Sequence, residues 1–305
     1  MAELNAKQLL EMVNSRHIAD GNERVRAITA RIVSDLFRTI DECNVSPDEF
    51  WAAVKWLTRL RQADMVGLIT AGLGFDRLLD IREDEIDRAA SRALGTPRAI
   101  EGPLYVAGAP LHQREVRLDA GNDDAGSPFV MEGQVLGTDG RPVPHAMVDV
   151  WHCNASGRYS HFDPSQPDYN LRRRIETDEQ GRYRFRSFLP PGYAIPPNSP
   201  VSELLEKLGR HGNRPAHIHF LISGQDKRTL TTQINLPGDT YLDDDFAFAT
   251  RDGLVVDVQE VKDPTGYESL GIRSPFARVQ FDFRLQDAAS DRETRATSRY
   301  ETALG

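Results

Sequence analysis

The chain has 305 residues, with 37 Lys plus Arg against 46 Asp plus Glu and a formal net charge of −9. Apolar residues make up 39% and charged residues 27%, a globular composition that excludes disorder throughout and allows one large domain or two modest ones. The acidic balance disfavours a nucleic-acid partner, which selects a basic face, and no run of about 18 apolar residues offers a membrane span.

The opening residues lack the apolar core of a signal peptide, and the two cysteines, Cys43 and Cys153, form no C-x-x-C. A reducing, cytoplasmic setting is therefore expected. Residues 1 to about 95 read as helices. Val25, Ile28, Ile32, Leu36 and Ile40 recur at three- and four-residue steps. Ser46-Pro47-Asp48-Glu49 is a helix start with a capping box, and Phe50, Val54, Leu57 and Leu60 form the next stripe. Further helix is expected in 65–79 and 83–94, weakened by Gly72 and Gly74. These stripes read first as core and second as a dimer face.

Pro97, Pro103 and Pro110 mark a change of character. Strands are expected at Phe129–Leu136, Met147–Trp151, Tyr183–Phe188, His217–Ile222, Leu230–Leu236, Leu254–Val261 and Val279–Leu285, with a turn at Asp139-Gly140. Short strands between Gly, Pro and Asp turns suggest a β-sandwich. Residues 287–305 read as a loose tail.

The sequence has no G-x-S-x-G, P-loop, dinucleotide fingerprint or H-E-x-x-H. The positive feature is Arg214-Pro215-Ala216-His217-Ile218-His219-Phe220. On a strand His217 and His219 share one face, and Ile218 and Phe220 share the other. Two imidazoles on one face suit a metal, although an H-x-H taken alone is more often a hydrogen-bonded pair. Asp243-Asp244-Asp245 could hold a hard cation but reads better as a solvated turn. Tyr159 follows a strand in Gly157-Arg158-Tyr159-Ser160, and Tyr193 sits in the rigid Pro190-Pro191-Gly192-Tyr193. A trivalent cation would strip the proton from a phenol, and two phenolates with two imidazoles would favour Fe(III). Spacing alone does not select these two from eight tyrosines.

Longer segments carry a resemblance. They include 95–110 (GTPRAIEGPLYVAGAP), Val150-Trp151-His152-Cys153-Asn154, Gly157–Ser160, Asn170-Leu171-Arg172-Arg173-Arg174, 208–220 (LGRHGNRPAHIHF), Leu230-Thr231-Thr232-Gln233 and 244–253 (DDFAFATRDG). Together they resemble the intradiol ring-cleavage dioxygenases, in the catechol 1,2-dioxygenase branch, over most of 20–255. Cys153 stands where that family usually has Ala, and nothing past about 286 has a counterpart.

The resemblance implies an α+β chain. An all-helical dimerisation domain (1–95) would precede a mainly antiparallel β-sandwich catalytic domain (96–286) and a tail (287–305). It implies one non-haem Fe(III) per subunit on Tyr159, Tyr193, His217 and His219. A catechol-type diol would chelate the iron, Tyr193 would take a substrate proton, and O₂ would cleave the ring to cis,cis-muconate. Arg214 would stabilise the developing charge, and Gln233 would orient a ligand. Leu73, Asp76, Ile100, Pro103, Leu104, Phe246 and Ala247 match the substrate wall. The family also implies a homodimer through the N-terminal helices, with a phospholipid in an apolar tunnel there. The alternatives are the same chemistry on hydroxyquinol or chlorocatechols, a non-catalytic β-sandwich binding module, and a zinc hydrolase using His217 and His219. Leu104-Tyr105 favours catechol, and Asp76 could accept a hydrogen bond from an extra hydroxyl.

Overall fold

The structure, a computed structural model, describes residues 4–15, 21–119, 126–272, 275–290 and 293–294. Most of the tail expected over 287–305 lies outside the described residues. The chain packs as two compact units, Met1–Gln62 and Ala63–Gly305.

The first unit holds α1 (Ala6–Ser15), α2 (Glu23–Glu42) and α3 (Pro47–Gln62). Asn22 caps α2 by accepting from Val25 N at 3.0 Å. Ser46 and Glu49 form the expected box at α3, with Ser46 N donating to Glu49 Oε2 at 2.9 Å and Glu49 N to Ser46 Oγ at 3.3 Å. The stripe of α2 is not core. Val25, Ile28, Ile32, Leu36 and Ile40 are all exposed, and α2 has no buried residue.

The second unit begins with α4 (Val66–Gly72) and α5 (Phe75–Ala89). Helical character thus runs to Ala89, but these two helices belong to the unit that contains the sandwich. The single helix expected over 65–79 breaks at Leu73-Gly74, where Gly74 adopts φ +79°. Ion pairs hold α5 to that unit: Asp84 with Arg251 at 2.7 Å, and Asp87 with both Arg98 and Arg228.

Among the described residues thirteen strands follow: β1 (Leu111–Gln113), β2 (Glu115–Arg117), β3 (Pro128–Gly137), β4 (Met147–Trp151), β5 (Arg172–Glu176), β6 (Arg182–Phe188), β7 (Tyr193–Ala194), β8 (Asn213–Arg214), β9 (His217–Ser223), β10 (Leu230–Asn235), β11 (Gln259–Val261), β12 (Phe276–Gln280) and β13 (Phe283–Leu285). One sheet runs β1-β5-β4-β9-β10; the other runs β11-β12-β3-β6-β2, with β13 also on β3, and β7-β8 form a ribbon. The pairs β3–β6, β4–β5, β4–β9, β9–β10 and β11–β12 are antiparallel, and the pairs β1–β5, β2–β6, β12–β3 and β13–β3 are parallel. The core lies between the sheets. Val148, Val150, Ile175, Ile218, Phe220, Ile222 and Ile234 from the first meet Phe129, Met131, Tyr183, Phe185, Val279 and Phe283 from the second. Phe220 links the layers, with ring centroids 6.3 Å from Phe185 and 4.8 Å from Phe283.

Several expected elements change. Only 259–261 of the strand expected over 254–261 is strand. Leu254 and Val256 instead bind Asn235 through backbone bonds of 2.7 and 3.1 Å and stay buried. The strand expected over 279–285 is split at Phe281-Asp282. Gly133 makes room for that crossing, since a Cβ there would lie 1.8 Å from Phe281 O. The turn at Asp139-Gly140 forms, with Gly140 at φ +82°, but β4 then joins the opposite sheet and β3 pairs with β6. Helix α6 (Pro200–Lys207) arises on a Ser199–Ser202 capping box with Pro200 in its first turn.

Candidate metal centre

Strand β9 presents its two faces as alternation predicts: Ile218, Phe220 and Ile222 enter the core, and His217 and His219 point the other way into a buried polar layer. Trp151 stands opposite His219 in the β4–β9 ladder and stacks on it, with centroids 5.0 Å apart and planes 5° from parallel. The ribbon sets Tyr193 opposite Arg214. Tyr159 arrives from a tight turn in which Asn154 Oδ1 accepts from Ser156 N and Arg158 N, both at 3.0 Å. Gly157 permits the approach of Tyr193. Its φ is +74°, and a Cβ there would lie 2.7 Å from Tyr193 Cβ. Gly157→Ala is therefore expected to cost about 1–3 kcal/mol of stability and displace Tyr193; denaturant melts and metal content check this.

Four polar atoms converge. Tyr159 Oη is 3.5 Å from Tyr193 Oη, Tyr193 Oη is 3.5 Å from His217 Nε2, and His217 Nε2 is 3.1 Å from His219 Nε2. His217 Nδ1 lies 2.6 Å from Pro215 O. A carbonyl only accepts, so Nδ1 carries the proton and Nε2 presents its lone pair to the centre. Burial, reinforced by Arg214, pushes the His217 pKa down to about 3. Burial and the neighbouring His217 hold His219 well below its usual range. Both imidazoles are thus neutral, the form that ligates. Burial raises Tyr159 well above the usual phenol range, with Tyr193 adding to the effect, and it raises Tyr193 against the pull of Arg214. Two phenols that resist ionising need a cation to become phenolates, and a hard trivalent ion supplies that charge. The donor set fits Fe(III). Among the described residues no cluster of three or more His, Cys, Asp or Glu could hold a metal ion. Cys153 is buried beside Trp151 and Tyr159, and burial lifts its thiol to about 12, so it offers no thiolate.

Arg214 borders the donors, with Nη1 2.9 Å from His217 Nε2. Its Nη2 donates to Gln233 Oε1 at 2.8 Å, and Gln233 Nε2 donates to Asn235 Oδ1 at 3.1 Å. Gln233 stands opposite His219 in the β9–β10 ladder. Of the expected solvated turn, Asp243 and Asp244 are exposed but Asp245 is buried and paired with Arg214. Asp245 and Arg172, whose guanidinium lies 5.6 Å from the Tyr159 ring centre, belong to the site although sequence reasoning gave them no such place.

The expected wall residues fall on three segments. A Cβ on Gly102 would lie 3.8 Å from His219 Cε1, so the loop bearing Ile100, Pro103 and Leu104 runs along the imidazole. Leu104 packs on Trp151, Cys153 and Tyr159. Ala99 N donates to Thr231 O at 3.0 Å, which ties this loop to β10. Phe246 and Ala247 are buried on the loop after Asp245. Leu73 and Asp76 lie at the α4–α5 junction, which meets Phe246 at Gly72, and Asp76 Oδ2 accepts from Thr70 Oγ1 at 2.9 Å. A separate cavity of about 440 Å³, lined by Tyr193, Asn213, Asp239, Thr240 and Tyr241, contains none of the expected wall residues.

A family profile described as Dioxygenase matches residues 100–287, and one described as Catechol dioxygenase N terminus matches residues 22–91. Catechol 1,2-dioxygenase 2 of Acinetobacter lwoffii is 54% identical over 83% of this chain and 92% of its own length. Catechol 1,2-dioxygenase of Acinetobacter baylyi is 47% identical over 92% of this chain and 91% of its own. The crystal structure of catechol 1,2-dioxygenase from Pseudomonas arvilla C-1 superposes with a TM-score of 0.89 at 47% identity, covering 97% of this chain and 96% of that one. The chain belongs to the intradiol ring-cleavage dioxygenase family, in its catechol 1,2-dioxygenase branch.

Proposed function

We propose that the chain binds one non-haem Fe(III) on Tyr159, Tyr193, His217 and His219 and cleaves catechol with O₂ to cis,cis-muconate. The observation that carries this reading is the convergence of two phenol oxygens and two neutral imidazole nitrogens beside a buried guanidinium. Held by Tyr159, Tyr193, His217 and His219, ferric iron would supply the Lewis acidity that draws electron density from an ortho-diol and opens its ring to O₂. Tyr193 Oη accepts the proton of one substrate hydroxyl, while Tyr159, packed under Arg172, keeps its place. Arg214 stays charged and faces the developing negative charge, and Gln233 fixes one edge of its guanidinium. Ile100, Pro103, Leu104, Phe246 and Ala247 give a flat ring an apolar wall and exclude water.

Anaerobic addition of catechol to the iron-loaded protein is expected to shift a red tyrosinate colour, and air should then drive uptake of one O₂ per catechol. A colourless zinc protein that stays inactive after iron loading would overturn the reading in favour of a hydrolase, and a chain that binds no metal would indicate a binding module. Hydroxyquinol as substrate has one observation in its favour, the acceptor Asp76, but Thr70 already occupies one of its oxygens. Relative kcat/KM on catechol, chlorocatechols and hydroxyquinol decides between them. A homodimer through the N-terminal helices, enclosing a phospholipid, is supported by the exposed apolar stripe of α2. No helix among the described residues is long and apolar enough to cross a membrane. Two free cysteines suit the cytoplasm.

A further inference from the structure

Asp245 is saturated by four donors from two different parts of the site. Oδ1 accepts from Arg214 Nε at 3.2 Å and Ala247 N at 3.1 Å. Oδ2 accepts from Arg214 Nη2 at 3.2 Å and Ala249 N at 3.2 Å. The carboxylate is 1% exposed. Its own carbonyl accepts from Phe248 N at 2.9 Å, closing a turn in which Phe248 holds φ +55°. That turn carries Phe246 and Ala247, and Phe246 N is anchored on Asn213 O, one residue before Arg214. A carboxylate that served only as counterion would need the guanidinium alone. This one takes half its bonds from the backbone of the turn that carries the substrate wall, at Ala247 and Ala249.

We propose that Asp245 is a positioning residue that sets Arg214 and the Phe246–Ala247 wall as one unit, so that charge stabilisation and ring selection are coupled through a single side chain. The proposal rests on the reading of Arg214 and this wall as parts of a diol-cleaving site. Asparagine has the shape of aspartate, but in either orientation its NH₂ faces one N–H of Arg214 and one N–H of the turn, so Asp245→Asn disturbs both connections. Glutamate keeps the charge for Arg214, but its extra methylene spoils the turn.

The test uses iron-loaded protein. Asp245→Asn is expected to keep its iron and its tyrosinate band, to lose about thirtyfold in kcat, and to shift the 4-methylcatechol to catechol preference in kcat/KM by at least about threefold. In an Arg214→Gln background the same change should cost no further kcat but still shift the preference. Asp245→Glu should recover most of kcat without restoring the preference. Full additivity with Arg214→Gln, an unchanged preference, or loss of iron would each overturn the proposal. Anaerobic dissociation constants for the two diols, read from the colour shift, report on the wall without turnover. A wild-type protein that binds both diols but cleaves neither would therefore sink the functional reading while leaving this one measurable.

Discussion

Replacing His217 by alanine is expected to release the iron. His217 is the centre of the donor set: its Nε2 lies 3.1 Å from His219 Nε2, 3.5 Å from Tyr193 Oη and 2.9 Å from Arg214 Nη1. Its orientation is fixed by Pro215 O, so Nε2 already faces the other three donors. Losing a partner outside the coordination sphere typically costs 10–100-fold in metal affinity; losing a ligand itself should exceed about a hundredfold. The alanine also leaves Arg214 Nη1 facing an empty buried space. Metal analysis and the visible band after purification give the answer, and Tyr159→Phe should behave in the same way. Stoichiometric iron with an unaltered band in the His217 variant would remove His217 from the ligand set.

Arg214→Ala should do the opposite, keeping iron and losing turnover. A preorganised cation in a water-excluded site acts mainly on the transition state, and removal of one such donor costs about 10²–10³ in kcat. The substrate's two oxygens are not held by Arg214 in this reading, so KM should move much less. Stability should fall as well. Burial alone would raise the Asp245 pKa, but Arg214 outweighs burial and holds that carboxyl below its usual range. Deleting one member of a buried pair leaves the other charge uncompensated, at about 3–5 kcal/mol. Steady-state kinetics and urea melts read the two effects separately. An Arg214→Ala enzyme with normal kcat would refute the assigned role.

How much of this was legible in the sequence depends on which force places each residue. The alternation of Ile218 and Phe220 with His217 and His219 survives folding because a strand has a two-residue period and one face was apolar. Met147–Trp151 appears as expected for the same reason. Strand β5 did not show, because Arg172-Arg173-Arg174 carries no alternation of apolar and polar residues. In the fold Arg172 is buried, with Nε on Ser160 Oγ at 3.0 Å. Asp245 was hidden in a run of three aspartates, since nothing local distinguishes the one carboxylate that meets an arginine 31 residues away. Tyr159 and Tyr193 are set by turn geometry around Gly157 and Gly192, which periodicity does not report, so their selection came from resemblance alone. The stripe of α2 was correctly periodic, but its burial was not: periodicity shows that a face is apolar, not what covers it.

Strand β9 also constrains how the sequence can change. One side of it fills the space between the sheets and the other supplies half of the proposed donor set, while Trp151 and Gln233 are matched to His219 by ladder position on either flank. Substitutions on the apolar side can be absorbed one at a time. A single-residue insertion or deletion within it cannot, because it exchanges the faces, sending imidazoles between the sheets and Phe220 toward the two tyrosines. Length variation in such a chain is therefore confined to the loops, and the spacing of this strand should stay fixed even where its apolar residues drift.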